Sequence, residues 1–316
     1  MNINDLQIPI LQAPIDTGTD LASAVSNAGG MGSVQGTWKN PDEAAALVEK
    51  VLSKTKNPFF VNFVLSFAPN ALDAVIEAGA PAVTFSWGID PELIKIAHQK
   101  SVAVGIQIGS IEGAKIAELS GADFVICQGL EAGGHVQSTT ALANLLPRVL
   151  ETVGNVPVFA AGGLADADDI AWARGQGAEG VMLGTRFVAT KESNAHQLYK
   201  DALLAANSTD TVYTVCFDGG WEQAPHRVLR NQTFKDWEAA GCPPKGKRPG
   251  ESDIVAKDTS GFEVKRYDLN YPRTSHKGSL VNGMCLYAGM GCSKIHDLPD
   301  TSDLVYKLWR DSQRGK

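Results

Sequence analysis

Between Ile8 and Leu183 the chain alternates short apolar runs with amphipathic stretches, and this alternation constrains its fold more than any other feature. The runs are Ile8–Ala13, Met31–Val34, Phe59–Phe63, Ala82–Phe85, Val102–Gln107, Phe124–Cys127, Val156–Ala160 and Gly180–Leu183. Each is apolar almost without interruption, as expected for a strand covered on both faces; an antiparallel sandwich would instead alternate in and out. The stretches between them, Asp20–Ala28, Pro41–Ser53, Ala71–Ala78, Pro91–Lys100, Ile111–Ser120, Ala141–Val153 and Asp166–Arg174, have helical spacing. Several begin at Pro or an acidic residue and end near Gly, which are helix start and stop signals. Repeated strand–helix units make a parallel sheet. Eight of them predict an α/β fold, a (β/α)8 TIM barrel.

After Arg186 the pattern breaks. Residues Thr211–Tyr287 hold irregular polar sequence, including the Pro-, Gly- and Lys-rich run Gly241–Pro249, but also Trp221, Phe234, Trp237, Tyr267 and Tyr271. Aromatic anchors of this kind are scarce in disordered tails, so an ordered C-terminal inserted or lid subdomain is expected. The division read from the sequence is a barrel over 1–190, a lid-like substrate subdomain over 191–290, and a C-terminal closing segment over 291–316 with a helix at Asp300–Arg310.

The net charge of −7, with basic residues dispersed, disfavours a nucleic-acid partner. No apolar run approaches the roughly 18 residues of a membrane span, and the first residues lack a secretory layout, so a cytoplasmic protein without membrane attachment is expected. Cys127, Cys216, Cys242, Cys285 and Cys292 include no C-x-x-C pair and read as free thiols. The His residues are scattered without metal-ligand spacing, and no metal is expected.

In such a barrel the active site is built by loops at the carboxyl ends of the strands. That rule selects Ala13, Pro14 and Ile15 after the first strand, Asn62 after the third, Ser86–Trp87–Gly88 after the fourth, and Gln107 after the fifth. It also selects Gln128 to His135 after the sixth, Ala161–Gly162–Gly163 after the seventh, and Gly184–Thr185 after the eighth. Adjacent glycines ahead of a helix start let backbone N–H groups approach an anion, and the loops after strands seven and eight are where barrels commonly hold phosphate. His135 sits in a loop with Gly129, Gly133 and Gly134, where an imidazole can act as base, acid or cationic stabiliser. His98 and His196, on helical stretches, read as ordinary surface residues.

The strings Gln12–Ala13–Pro14, Gly29–Gly30–Met31–Gly32, Val61–Asn62–Phe63, Gln128–Gly129–Leu130–Glu131–Ala132–Gly133–Gly134–His135, Ala160–Ala161–Gly162–Gly163 and Gly184–Thr185–Arg186–Phe187 together resemble the nitronate monooxygenase (2-nitropropane dioxygenase) family, in order and spacing over roughly the first 190 residues. A weaker echo lies at Tyr287–Gly291. The resemblance implies a non-covalent FMN, with its phosphate on Gly162, Gly163, Gly184 and Thr185. Gly133, Gly134 and Ala161 would lie close by, and Ala13, Pro14 and Ile15 would back the ring. Asn62, Gln107 and Gln128 would offer polar contacts, and His135 would be the catalytic residue. The implied reaction is oxidation of an alkyl nitronate by molecular oxygen to a carbonyl compound and nitrite or nitrate. A homodimer is compatible with this reading.

Two departures from the family pattern stand out: Val136–Gln137 follow the histidine where relatives often carry a basic residue and glycine, and Ile15 replaces a common Met. Two alternatives stay open on the sequence. One is an NAD(P)H-dependent FMN reductase of a quinone or enoyl substrate; the other is a flavin-binding barrel without catalysis, since fold alone does not fix function.

Overall fold

The computed structural model describes residues 3–15, 18–278 and 281–314. Eight strands form one parallel sheet: β1 (Ile10–Gln12), β2 (Gly32–Gln35), β3 (Phe59–Val64), β4 (Ala82–Ser86), β5 (Ala103–Ile108), β6 (Phe124–Gln128), β7 (Val158–Ala161) and β8 (Gly180–Leu183). They pair in chain order from β2 to β8, and β8 pairs with β1. The remaining seam is short: Gln12 N–H donates to Met31 O at 2.9 Å and Met31 N–H to Ile10 O at 3.0 Å. The buried Gln12 amide extends it, donating to Ser33 O at 3.2 Å and accepting from Ser33 N–H at 3.1 Å. A side chain thus satisfies backbone groups that would otherwise be buried unpaired, and the barrel closes.

Alternate residues of each strand feed two separate cores. Leu11, Met31, Phe60, Ala82, Ala103, Phe124, Ile126, Phe159 and Met182 fill the interior, joined by Ile3. Ile10, Val34, Phe59, Val61, Val83, Phe85, Val104, Val125 and Val181 face outward against the helices. Large and small side chains interleave inside, and the barrel is a packed core rather than a channel.

The helices are α1 (Asp20–Asn27), α2 (Pro41–Leu52), α3 (Leu72–Glu77), α4 (Pro91–Gln99), α5 (Ile111–Leu119), α6 (Leu142–Thr152) and α7 (Ala167–Gly175). Their ends obey the capping chemistry legible in the sequence: Asn40 and Asp166 each form a capping box, with Glu43 and Asp169, and Asp90 and Ser110 cap α4 and α5. The expected strands and helices are all present, with ends displaced by a few residues.

After β8 come α8 (Thr185–Val188) and α9 (Gln197–Ala205), α10 (Gln232–Ala239) and two small antiparallel sheets. One joins Thr211–Thr214, His226–Leu229 and the two-residue strand Gly134–His135; the other pairs Ile254–Lys257 with Glu263–Lys265. The last helix, α11 (Thr301–Ser312), packs against α7 and α1 and so fills the eighth place in the helical shell. Its buried Leu304, Val305 and Leu308 join the outer core, and Arg174 of α7 lies over the Trp309 ring at 4.8 Å. The segment between β8 and α11 is therefore inserted between a barrel strand and its helix. All five cysteines are free, Cys242 alone being exposed. Among the described residues no helix is long and apolar enough to cross a membrane.

Candidate active site

At the carboxyl ends of the strands the loops enclose a cavity of about 410 Å³. This lies within the range of small-molecule sites, roughly 300–1,000 Å³. Most residues selected from the sequence line it: Ala13, Pro14, Ile15, Asn62, Gln107, Gln128, Gly133, Gly134, His135, Ala161, Gly162, Gly163, Gly184 and Thr185, with Ser86 and Trp87 beside them; Gly88, Gly129, Leu130 and Glu131 do not.

The β7 and β8 loops form one side. Gly162 and Gly163 have φ of +110° and +74°, a region that penalises any side chain. A Cβ on Gly162 would lie 3.0 Å from Gly129 O, and one on Gly163 would lie 2.8 Å from the Glu131 Cβ. The inserted segment closes this cradle: Met290 N–H donates to Glu131 O at 3.0 Å, and Gly289 N–H donates to Thr185 Oγ1 at 2.9 Å. With that acceptance made, the Thr185 hydroxyl hydrogen remains a donor. Gly184 is different, since its φ of −110° is ordinary and an added Cβ would make only van der Waals contact, 3.5 Å from Ala13 Cβ.

Beside the cradle stands His135, in the β6 loop whose Gly129 and Glu131 pack against Gly162 and Gly163. Its loop is tied from several directions: the Glu131 carboxylate accepts from Leu142 N–H at the start of α6 at 2.9 Å, and Arg227 donates to Leu130 O at 3.0 Å. His135 also pairs with His226 in the small antiparallel sheet. Gln128 donates to His135 O at 3.1 Å and accepts from Gln137 N–H at 2.9 Å, so half of its amide's hydrogen-bonding capacity serves the loop. Asn62 is likewise engaged, donating to Gln35 at 3.2 Å and accepting from Thr84 Oγ1 at 2.9 Å.

The His135 imidazole is roofed by aromatic rings. The Trp221 indole stacks on it at 4.3 Å and 24°, with Tyr287 at 5.7 Å and Trp87 edge-on at 6.4 Å. Its Nε2 is buried with no hydrogen-bond partner. Burial, and secondarily the neighbouring His226, pushes its pKa down to about 3, so the ring is neutral at physiological pH. His226 is fixed differently: Nδ1 bonds Ala224 O at 3.0 Å while Nε2 accepts from Phe217 N–H at 3.2 Å. That pairing selects the neutral Nδ1–H tautomer, and burial lowers its pKa to about 4.

The model of the nitronate monooxygenase family matches residues 1–78 and 68–311. A Pseudomonas aeruginosa protein named nitronate monooxygenase is 32% identical, with 93% of each chain covered. The chain belongs to the nitronate monooxygenase family. It is an oxidoreductase. A Mycobacterium tuberculosis protein is 35% identical over 74% of this chain and 66% of its own length; it is named (3aS,4S,5R,7aS)-5-hydroxy-7a-methyl-1-oxo-octahydro-1H-indene-4-carboxyl-CoA dehydrogenase. Among solved structures, a nitroalkane oxidase from Streptomyces ansochromogenes superimposes with a TM-score of 0.79 at 25% identity, covering 99% of this chain and 98% of that one.

The family motifs do not account for the whole wall of the cavity. Trp38 and Lys39, from the β2–α2 loop, also line it. The strand-end rule, applied to that loop as to the others, points to them. Trp221 and Gly289 come from the inserted segment, where no strand-end address exists; Gly289 falls in the weak motif echo at Tyr287–Gly291, and for Trp221 the sequence carries only the signal of an aromatic anchor.

Proposed function

We propose that this chain uses FMN and molecular oxygen to oxidise an alkyl nitronate to a carbonyl compound and nitrite or nitrate. One observation carries the reading: one cavity is lined both by a cradle in which Gly162 and Gly163 adopt positive φ against the β6 loop and by an imidazole whose buried Nε2 has no partner. The cradle suits a phosphate, because Gly162, Gly163, Gly184 and Thr185 offer close backbone approach and a hydroxyl donor at the strand ends where barrels hold phosphate. Ala13, Pro14 and Ile15 offer a small apolar wall to a flat ring. The single cradle favours FMN over FAD.

When bound, the flavin supplies the redox chemistry. The residues of the chain bind, orient and move the proton. With a neutral nitroalkane, Nε2 of the neutral His135 takes the α-proton, and the nitronate so formed stabilises the imidazolium that burial alone disfavours. With a preformed nitronate no proton needs removal, and His135 acts only in binding. Both outcomes balance: one nitronate and one oxygen molecule give carbonyl and nitrate, whereas two nitronates share one oxygen molecule to give two carbonyls and two nitrites.

The test is oxygen consumption by wild type and His135→Asn with both donor forms. Loss of the base should cost about 10²-fold or more with the nitroalkane and much less with the nitronate. Equal rates in wild type and variant with every active donor would remove His135 from the reaction. Acid release and chromatography of the cofactor should yield FMN; recovery of FAD would reject the cofactor assignment.

A second reading is a flavin reductase fed by NAD(P)H and acting on a quinone or enoyl thioester; the carboxyl-CoA group in the M. tuberculosis relative's name favours its thioester form. Anaerobic mixing with NADH and, separately, with propionate 3-nitronate separates the two, since only the true donor bleaches the flavin quickly.

A further inference from the structure

The roof over His135 is not part of the barrel. Trp221 sits near the tip of a strap running from Asp218 to Pro225; the strap is held firmly at its base, and its tip is joined to its surroundings by Gly219 N–H donating to Tyr267 O at 3.2 Å and by the exposed Lys245–Glu222 ion pair at 3.3 Å. Asp218 is bound through both carboxylate oxygens by Arg248, at 3.0 and 2.8 Å, and the Arg248 side chain is 4% exposed. His226 bridges the two stems, accepting from Phe217 N–H and bonding Ala224 O. Val136 N–H donates to Pro225 O at 2.9 Å, which fastens the far stem to the residue next to His135. Gly219 and Gly220 have φ of +36° and +102°; a Cβ on Gly219 would lie 2.5 Å from Leu269 N, whereas one on Gly220 would meet nothing within 4 Å, so Gly220 is the unpacked joint.

The indole meets three rings from three sources. It stacks on His135 at 4.3 Å and meets Trp87 edge-on at 4.8 Å and Phe67 edge-on at 5.2 Å. Trp87 holds a left-handed backbone (φ 59°), a conformation that costs a bulky residue energy and concentrates at sites where the surroundings enforce it. The imidazole beneath the indole has its Nε2 buried and unpartnered, so it holds a hydrogen-bonding capacity that no protein group takes up while the indole covers it.

We propose that Trp221 is the specificity-determining residue of this pocket: its indole covers the His135 imidazole, and the bulk a substrate can carry next to its reacting carbon is set by the room Trp221 leaves. This deepens the nitronate reading and rests on it for the choice of substrates. Small primary nitronates are taken beside the imidazole with the indole in place; larger ones must displace it by bending the strap at Gly220, at the expense of three ring contacts. The apolar, aromatic roof favours aliphatic or flat substituents over charged ones.

Two measurements test it, with Trp221→Ala and Trp221→Phe made in the holoenzyme. The first is the ratio of kcat/KM for a long-chain nitronate to that for ethylnitronate. Trp221→Ala should raise this ratio about tenfold, the scale of discrimination a pocket achieves per missing methylene-sized contact, and Trp221→Phe should fall between it and wild type. The second is the rate of His135 carbethoxylation by diethyl pyrocarbonate, located by peptide mass spectrometry, with His98 as the internal exposed reference. His135 should react slowly in wild type and several times faster in Trp221→Ala. An unchanged ratio together with an unchanged labelling rate would overturn the proposal. If wild type oxidises no nitronate, the nitronate reading fails and the labelling result alone decides whether Trp221 covers His135; equal labelling in wild type and Trp221→Ala then overturns it. Circular dichroism of both variants confirms that the fold persists, and Trp221→Phe carries the test if Trp221→Ala does not fold.

Discussion

Gly163 and Gly184 occupy equivalent places in two adjacent loops, yet the backbone separates what each does. Gly163 needs its left-handed φ and has no room for a Cβ beside Glu131, so Gly163→Ala should strain the fold by about 1–3 kcal/mol and weaken cofactor binding together. Gly184 needs neither, so Gly184→Ala should leave the melting temperature nearly unchanged. It should nonetheless reduce FMN affinity about tenfold, equivalent to about 1.4 kcal/mol, by placing a methyl where a phosphate oxygen comes close. Fluorescence titration with FMN alongside thermal melts separates the two effects; wild-type affinity in Gly184→Ala would take the phosphate away from that residue. The two buried imidazoles give a second residue-scale expectation. Both folded-state pKa values lie below the ordinary ~6.5 of histidine, at about 3 for His135 and about 4 for His226. A group with a depressed pKa that folds neutral contributes stability in full above its unfolded pKa, and that contribution is lost as pH falls toward the folded value. Thermal melts should therefore be flat near neutrality and decline below about pH 6, with His226 alone contributing a slope of at most about 1.4 kcal/mol per pH unit. His226→Gln should flatten that decline, and an unchanged acid limb would place the linkage elsewhere.

Among the elements, those that repeat were legible and those that do not were not. Phe59–Val64 and Gly180–Leu183 read as strands because both faces are covered, and α2 and α7 read as helices because Asn40 and Asp166 announce their starts. The strand ends then supplied most of the cavity, since a rule of address needs only the strand order. The two-residue strand Gly134–His135 was hidden. It exists because His226–Leu229 comes to pair with it from ninety residues away, and neither local propensity nor periodicity records such a partner. The internal ties of Gln128 and Asn62 were hidden for a related reason: a polar side chain at a pocket address can serve the ligand, the loop or both, and only the hydrogen bonds show that Gln128 also braces His135 and that Asn62 also ties β2 to β4. The strap shows its own dependence on an ion pair. Breaking one partner of a buried pair costs about 3–5 kcal/mol, so Asp218→Asn should lower the protection of amides in 211–229 while those of β4 to β6 stay protected. Hydrogen exchange by mass spectrometry reads this, and equal loss everywhere would show that the strap unfolds only with the barrel.

For the molecule as a whole, the decisive arrangement is α11 lying between α7 and α1 after the long excursion of the inserted segment. Leu304→Ala, which hollows the contact of α11 with the outer core, should cost about 2–5 kcal/mol of global stability, seen as one shifted transition in urea rather than as a separate early phase. An early independent phase would mean that α11 peels away without the barrel. The same arrangement governs the order in which the protein can be made. On the ribosome all eight strands have emerged by Leu183, but the groove awaiting the last helix, between α7 and α1, lies bare until the residues of α11 follow. A nascent chain of this family thus carries an uncovered apolar groove through the synthesis of its entire roof, the interval in which a trigger-type chaperone or a neighbouring chain has the best claim on it.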